Sequence, residues 1–119
     1  MKKDAKILIV DDSAFMRSVL KNILTNAGYT NFEEAADGKE GLQKIESVNP
    51  ELVLLDLIMP EMLGIDVIKQ IKNKYKILVI SAVGQEKVIE EAKSLGALGY
   101  IVKPFDNNKV VEEVAKILG

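Results

Sequence analysis

Ile7-Leu8-Ile9-Val10-Asp11-Asp12 decides the fold: an unbroken apolar run that stops on two carboxylates. Three later stretches have the same form. Leu52-Val53-Leu54-Leu55 ends on Asp56, Ile77-Leu78-Val79-Ile80 on Ser81, and Tyr100-Ile101-Val102 on Lys103-Pro104. Short continuous apolar runs between segments of helical period read as parallel strands buried on both faces. In an open parallel sheet the carboxyl ends of the strands lie along one edge, where ligands bind. Three carboxylates, a hydroxyl and an ammonium from distant parts of the chain would therefore meet at one place.

The intervening segments read as helices. Ser13 is placed to cap one carrying Met16, Val19, Leu20, Ile23, Leu24 and Ala27 at helical spacing, with Gly28 as its stop. Asp12 is a second candidate for that cap. Phe32 to Ala36 reads as a weak strand near a sheet edge, and Asp37-Gly38 turns into a helix with Leu42 and Ile45 inward, ending near Asn49-Pro50. A loop through Met59-Pro60 and Gly64 leads to a third helix bearing Ile65, Ile68 and Ile71. A fourth helix, Gln85 to Leu95, has Val88, Ala92 and Leu95 on one stripe and Ile89 off it, and Gly96 closes it. Asp106 caps a last helix with Val110, Val114 and Ile117 toward the sheet. The class is α/β: a doubly wound (βα)₅ parallel sheet with right-handed crossovers. Setting the two Asp-bearing strands side by side requires the flavodoxin-like order 2-1-3-4-5, whose switch point falls between them.

Composition narrows the chemistry. The 119 residues make one domain, 1–119, and 48% hydrophobic with 29% charged residues is ordinary for a soluble globular protein. No apolar stretch approaches the roughly 18 residues needed to span a bilayer. Met1-Lys2-Lys3-Asp4 leads directly into a strand, so no signal peptide is expected and the expected location is cytoplasmic. Cysteine and histidine are both absent, which excludes disulfides, thiolate nucleophiles and imidazole ligands. A bound metal must then take oxygen ligands, leaving Mg²⁺, Mn²⁺ or Ca²⁺. A net charge of −2 without a basic block argues against nucleic-acid binding.

Asp11, Asp12 and Asp56 would bring three like charges together. Two unit charges at 4 Å repel by about 4 kcal/mol at an effective dielectric of 20. A divalent cation relieves that repulsion, and Mg²⁺ favours one or two carboxylates with waters and a phosphate oxygen. Lys103 adds a point charge, and Ser81 a hydroxyl donor, on the far side of Asp56. A carboxylate between a divalent cation and an ammonium is arranged to act as the nucleophile in phosphoryl transfer. Any one of these residues alone reads as a helix cap, a turn former or a solvated charge. Such residues closing four strands on one edge read together as a site.

At Ile9-Val10-Asp11-Asp12, Asp56-Leu57-Ile58-Met59-Pro60, Ser81-Ala82 and Lys103-Pro104-Phe105 the chain resembles the receiver domain of two-component response regulators, along essentially its whole length. The resemblance implies that Asp56 accepts a phosphoryl group from a phosphohistidine on a partner histidine kinase. It also implies that Asp12 ligates Mg²⁺ (or Mn²⁺) directly and Asp11 through water, with Asp56 and the Ile58 carbonyl completing the protein ligands. Lys103 would pair with the phosphoryl group, Ser81 would move to hydrogen-bond it, and Tyr100 would be the switch aromatic that follows Ser81. The peptide before Pro104 is expected to be cis. Phosphorylation would then be read on the face formed by the fourth helix, last strand and fifth helix, where Ile89 is a candidate partner contact.

Phe15-Met16-Arg17, Ser81-Ala82-Val83-Gly84-Gln85 and Ile101-Val102-Lys103-Pro104-Phe105 lean toward the stand-alone chemotaxis regulators of that family. The implied partners are a chemotaxis kinase, a flagellar or archaellar motor switch component or adaptor, and a phosphatase, with the chain itself monomeric and without an output domain. Leu63 departs from the Asp or Asn commoner before Gly64. Apolar Ile58 and Val83, near the path of an attacking water, imply a modified rate of spontaneous dephosphorylation. The chain is not expected to be an enzyme beyond its own aspartyl phosphorylation and dephosphorylation. Two alternatives are a receiver excised from a larger regulator and an aspartyl-phosphate phosphohydrolase of the haloacid-dehalogenase type. The latter carries Asp-x-Asp on one strand, whereas here the acidic pair is adjacent and Asp56 stands alone on another.

Overall fold

The computed structural model describes residues 3–71 and 73–119; Met1, Lys2 and Lys72 lie outside the described residues. Strands and helices alternate: β1 (Lys6–Val10), α1 (Ala14–Asn26), β2 (Asn31–Ala35), α2 (Gly38–Val48), β3 (Leu52–Leu55), α3 (Gly64–Ile71), β4 (Ile77–Ser81), α4 (Glu86–Ser94), β5 (Gly99–Val102) and α5 (Asn107–Leu118). The five strands form one parallel sheet in the order β2-β1-β3-β4-β5. This is the expected (βα)₅ fold and strand order.

The continuous apolar runs are explained by burial on both faces. Every residue of β3 and β4 is buried, as is every residue of β1 after Lys6. Alternate residues of these strands feed two cores. Ile7, Ile9, Leu54, Leu78 and Ile80 pack with α1 and α5 on one side, while Leu8, Val10, Val53, Leu55 and Val79 pack with α2 and α3 on the other. Fully burying a large aliphatic side chain contributes roughly 1.5–3 kcal/mol, so these central strands anchor the sheet. β2 is an edge strand and is half-buried until Ala35. Its weak sequence signal has that cause, and the strand begins at Asn31, one residue earlier than the pattern indicated.

Ser13, not Asp12, caps α1, its side chain accepting from Met16 N. Asp37 caps α2 through Glu40 N, and Asp106 caps α5 through Asn108 N. Gly28 adopts φ +104 just after α1, a left-handed conformation that glycine tolerates without steric cost. The helix bearing Ile65, Ile68 and Ile71 is α3, and its inward stripe is set by other spacing. Gly64, Val67, Ile68 and Ile71 are buried and Ile65 only partly so. The spacing i, i+3, i+4, i+7 holds one helical face, whereas a row spaced only by three drifts around the helix. On α4 Ala92 is buried, and Val88, Ile89 and Leu95 are all half-buried, so Ile89 is not fully exposed.

Candidate functional site

The strand register places the polar residues. Val10 pairs with Leu55, so Asp11 and Asp56 emerge side by side from β1 and β3. Asp56 N–H donates to the Val10 carbonyl at 3.0 Å, and Asp11 N–H donates to the Ala35 carbonyl at 3.1 Å. These bonds extend the ladders by one residue and fix both carboxylates at the sheet edge. On the other side Ser81 pairs with Val102, and Lys103 N–H donates to the Ser81 carbonyl at 2.9 Å, which turns the Lys103 side chain toward β3. The Lys103-Pro104 peptide is cis, as expected.

The groups converge as the sequence indicated. Lys103 Nζ donates to Asp11 Oδ2 at 2.8 Å and to Asp56 Oδ2 at 3.1 Å. Asp11 and Asp56 are only 2% and 7% exposed, so charges with that little solvent must be paired. Their second oxygens are also satisfied: Asp11 Oδ1 accepts from Ser13 N, and Asp56 Oδ1 accepts from Ile58 N at 3.1 Å. Burial pulls the Lys103 ammonium pKa down, but hydrogen bonds and charges of Asp11 and Asp56 outweigh it and leave the pKa above the ordinary lysine value.

Asp12 is exposed at the mouth, and its carboxylate joins the other two so that one ligand oxygen from each lies within 4.8 Å of the others. Mg²⁺–oxygen distances of about 2.0–2.1 Å put opposite ligands about 4 Å apart. Three hard oxygens with that spread, and no sulfur or imidazole in the chain, fit a small hard divalent cation and no softer one. Among the described residues it is the one group of three acidic, His or Cys side chains so placed.

Ser81 and Tyr100 meet at a single residue. Ser81 is fully buried and its Oγ accepts from Val83 N at 3.3 Å, while the Tyr100 hydroxyl donates to the Val83 carbonyl. Burial raises the Tyr100 pKa, with a smaller contribution from the Asp56 charge, against the lowering influence of Ser81. The Ile58 side chain is 57% exposed beside the site.

Two contributors were not recognised in the sequence. A Cβ on Gly64 would collide with the Asp56 carbonyl oxygen and come 2.7 Å from Leu57 Cα, so glycine lets α3 start directly against the Asp56 loop. The other is Arg17, quoted only as part of a familiar tripeptide. Its side chain reaches the Asp11 carbonyl and Glu34. Nothing in local spacing pairs residue 17 with residue 34, because that contact depends on how α1 lies over the β2 edge.

A doubly wound sheet with an acidic cluster and a lysine at its switch point defines a class, and residues 7–115 match the response regulator receiver domain; the chain belongs to that family. Within it, the chain is 47% identical over 115 residues to the chemotaxis protein CheY of Thermotoga maritima, covering 94% of this chain and 96% of that protein. It is 41% identical over 116 residues to CheY of Bacillus subtilis, covering 95% and 97%. Among solved structures it is similar to a chain of the CheX-CheY-BeF3-Mg+2 complex from Borrelia burgdorferi, with a TM-score of 0.90 and 34% identity over 97% of this chain and 90% of that one. The fold, acidic pocket and family thus agree. No helix among the described residues is long and apolar enough to cross a membrane.

Proposed function

We propose that this chain is a phosphorylation-switched response regulator acting as a cytoplasmic chemotaxis signal, with Asp56 as phosphoacceptor. The observation that carries this reading is the pairing of Lys103 with both Asp11 and Asp56 beside a third carboxylate. Asp12, with Asp11, Asp56 and the Ile58 carbonyl, would hold Mg²⁺. When bound, that cation supplies positive charge to the oxygens of the transferring phosphoryl group. An Asp56 carboxylate oxygen attacks phosphorus, a P–O bond forms, and the P–N bond of the donor phosphohistidine breaks with its electron pair left on the imidazole. Lys103 pairs with the Asp56 carboxylate and aims it, and then faces the new phosphoryl oxygens.

The message leaves through Val83. Phosphorylation adds charge and acceptor oxygens at Asp56. A Ser81 hydroxyl drawn toward them gives up Val83 N–H, and the same peptide segment holds the Tyr100 hydroxyl. Ser81 and Tyr100 thereby select between two arrangements of the α4-β5-α5 face. A motor switch component or adaptor is the proposed reader of that face, a histidine kinase the donor and a phosphatase the eraser; the Borrelia burgdorferi relative was solved together with CheX. The receiver domain is proposed to act as a monomer.

The test is transfer. Incubation with Mg²⁺ and a small acyl phosphate should add one phosphoryl mass that is acid-stable and base-labile, and EDTA should abolish it. Labelling that persists in EDTA, or none at all, contradicts the proposal.

A further inference from the structure

Asp11 is held at every polar group, whereas the Asp12 carboxylate makes no hydrogen bond or ion pair among the described residues. The aim of Asp12 therefore depends on the backbone that carries it, and chiefly on the peptide joining it to Asp11. That peptide's oxygen is the Asp11 carbonyl, which accepts a 2.6 Å hydrogen bond from Arg17 Nη1. Arg17 is in turn fixed from the side: its Nε donates to Glu34 Oε1 at 2.9 Å, and Lys21 Nζ donates to Glu34 Oε2 at 2.9 Å. The Arg17 side chain is 16% exposed.

From this geometry we infer that Arg17, braced by Glu34, is a positioning residue that sets the Asp11-Asp12 peptide plane and so the cation affinity of the site. The inference rests on the proposed Mg²⁺ role of Asp12. A planar guanidinium donates along fixed, divergent directions, to a backbone carbonyl on one edge and a carboxylate on another. A lysine carries the same charge but has a single nitrogen and lacks that planar fork. The bracing runs from edge strand β2 through α1 to the β1 terminus, and none of these contacts touches the cation itself. Groups that orient metal ligands in this way typically change affinity by about 10–100-fold when altered.

The experiment is calorimetric titration of Mg²⁺ into the metal-free chain, in the wild type and in Arg17→Lys, Glu34→Gln and Lys44→Gln variants. Each is paired with urea denaturation in EDTA. Lys44, on α2, forms a 3.7 Å ion pair with Glu33 of the same strand β2 and makes no contact with Asp11, so it controls for the general loss of an ion pair to β2. Arg17→Lys should weaken Mg²⁺ binding about tenfold, Glu34→Gln by a smaller factor in the same direction, and Lys44→Gln not at all. A merely structural Arg17 would lower the urea midpoint and leave the Mg²⁺ affinity of the folded fraction unchanged, which overturns the inference while the site reading stands. Equal weakening by Lys44→Gln overturns it too. A wild-type chain that binds no Mg²⁺ overturns the site reading, and this inference with it.

Discussion

Asp12→Asn should stabilise the metal-free protein and destabilise its relation to Mg²⁺, so that the two chains exchange rank when the cation is added. The substitution removes one charge, keeps the side-chain shape and breaks no cap, because Ser13 caps α1. In the wild type the Asp12 oxygen lies no more than 4.8 Å from those of Asp11 and Asp56. At that distance each repulsion is about 0.9 kcal/mol in a water-like dielectric and about 3.5 kcal/mol at an effective dielectric of 20. Asp12 is exposed, so the lower figure applies, and Lys103 between the other two carboxylates offsets about one of the two repulsions. The expected gain in EDTA at low salt is about 1 kcal/mol, or a rise of about 3–5 °C in Tm. At a Mg²⁺ concentration ten times its Kd the wild type gains about 1.4 kcal/mol, which the variant largely forgoes. Urea titrations in EDTA and in Mg²⁺, at low and moderate salt, measure all four stabilities. A variant less stable than the wild type in EDTA, or equally stabilised by Mg²⁺, refutes the repulsion argument.

Three further outcomes follow from particular contacts. Stability should fall as pH rises through the alkaline range, because Lys103 and Tyr100 both have raised values in the fold. The Lys103 contribution is fully present below the unfolded lysine value of about 10.4 and is lost as pH climbs through the folded one. Lys103→Arg, which stays charged, should flatten that decline in pH-dependent denaturation. Gly64→Ala forces a methyl against the Asp56 carbonyl and should cost about 1–3 kcal/mol in urea unfolding; an unchanged midpoint would mean the α3 start is not tight. Tyr100→Phe removes the bond to the Val83 carbonyl and should lower stability by about 1 kcal/mol with no change in m.

The legible parts of this molecule are those whose causes are local. β1, β3 and β4 are buried on both faces, and that burial is written as uninterrupted Ile, Leu and Val runs. The strand order was reached from the chemistry, since only adjacent β1 and β3 bring Asp11 and Asp56 together. The caps at Ser13 and Asp106 are read from one residue and its neighbours, and the Asp37-Gly38 turn proves to carry a cap at Asp37. What stayed hidden depends on packing between distant elements. Edge strand β2 carries Glu33 and Glu34 where a central strand carries aliphatics, and its bounds, read as Phe32 to Ala36, lie one residue earlier. The Arg17–Glu34 brace exists only once α1 lies across that edge. The need for glycine at 64 appears only when α3 is set against the Asp56 loop. The exposure of Asp12 beside a buried Asp11 depends on which residue continues the ladder to Ala35.

The central claim is that Asp56, and no other carboxylate of the cluster, receives the phosphoryl group. Borohydride reduces an aspartyl phosphate to homoserine, which marks the modified position permanently. The direct measurement is peptide mapping of the chain after reaction with an acyl phosphate and Mg²⁺ followed by borohydride. Homoserine at position 56, absent from an EDTA control and from Asp56→Asn, is the predicted result. Homoserine at position 11 or 12, or an unmodified chain, would contradict the account.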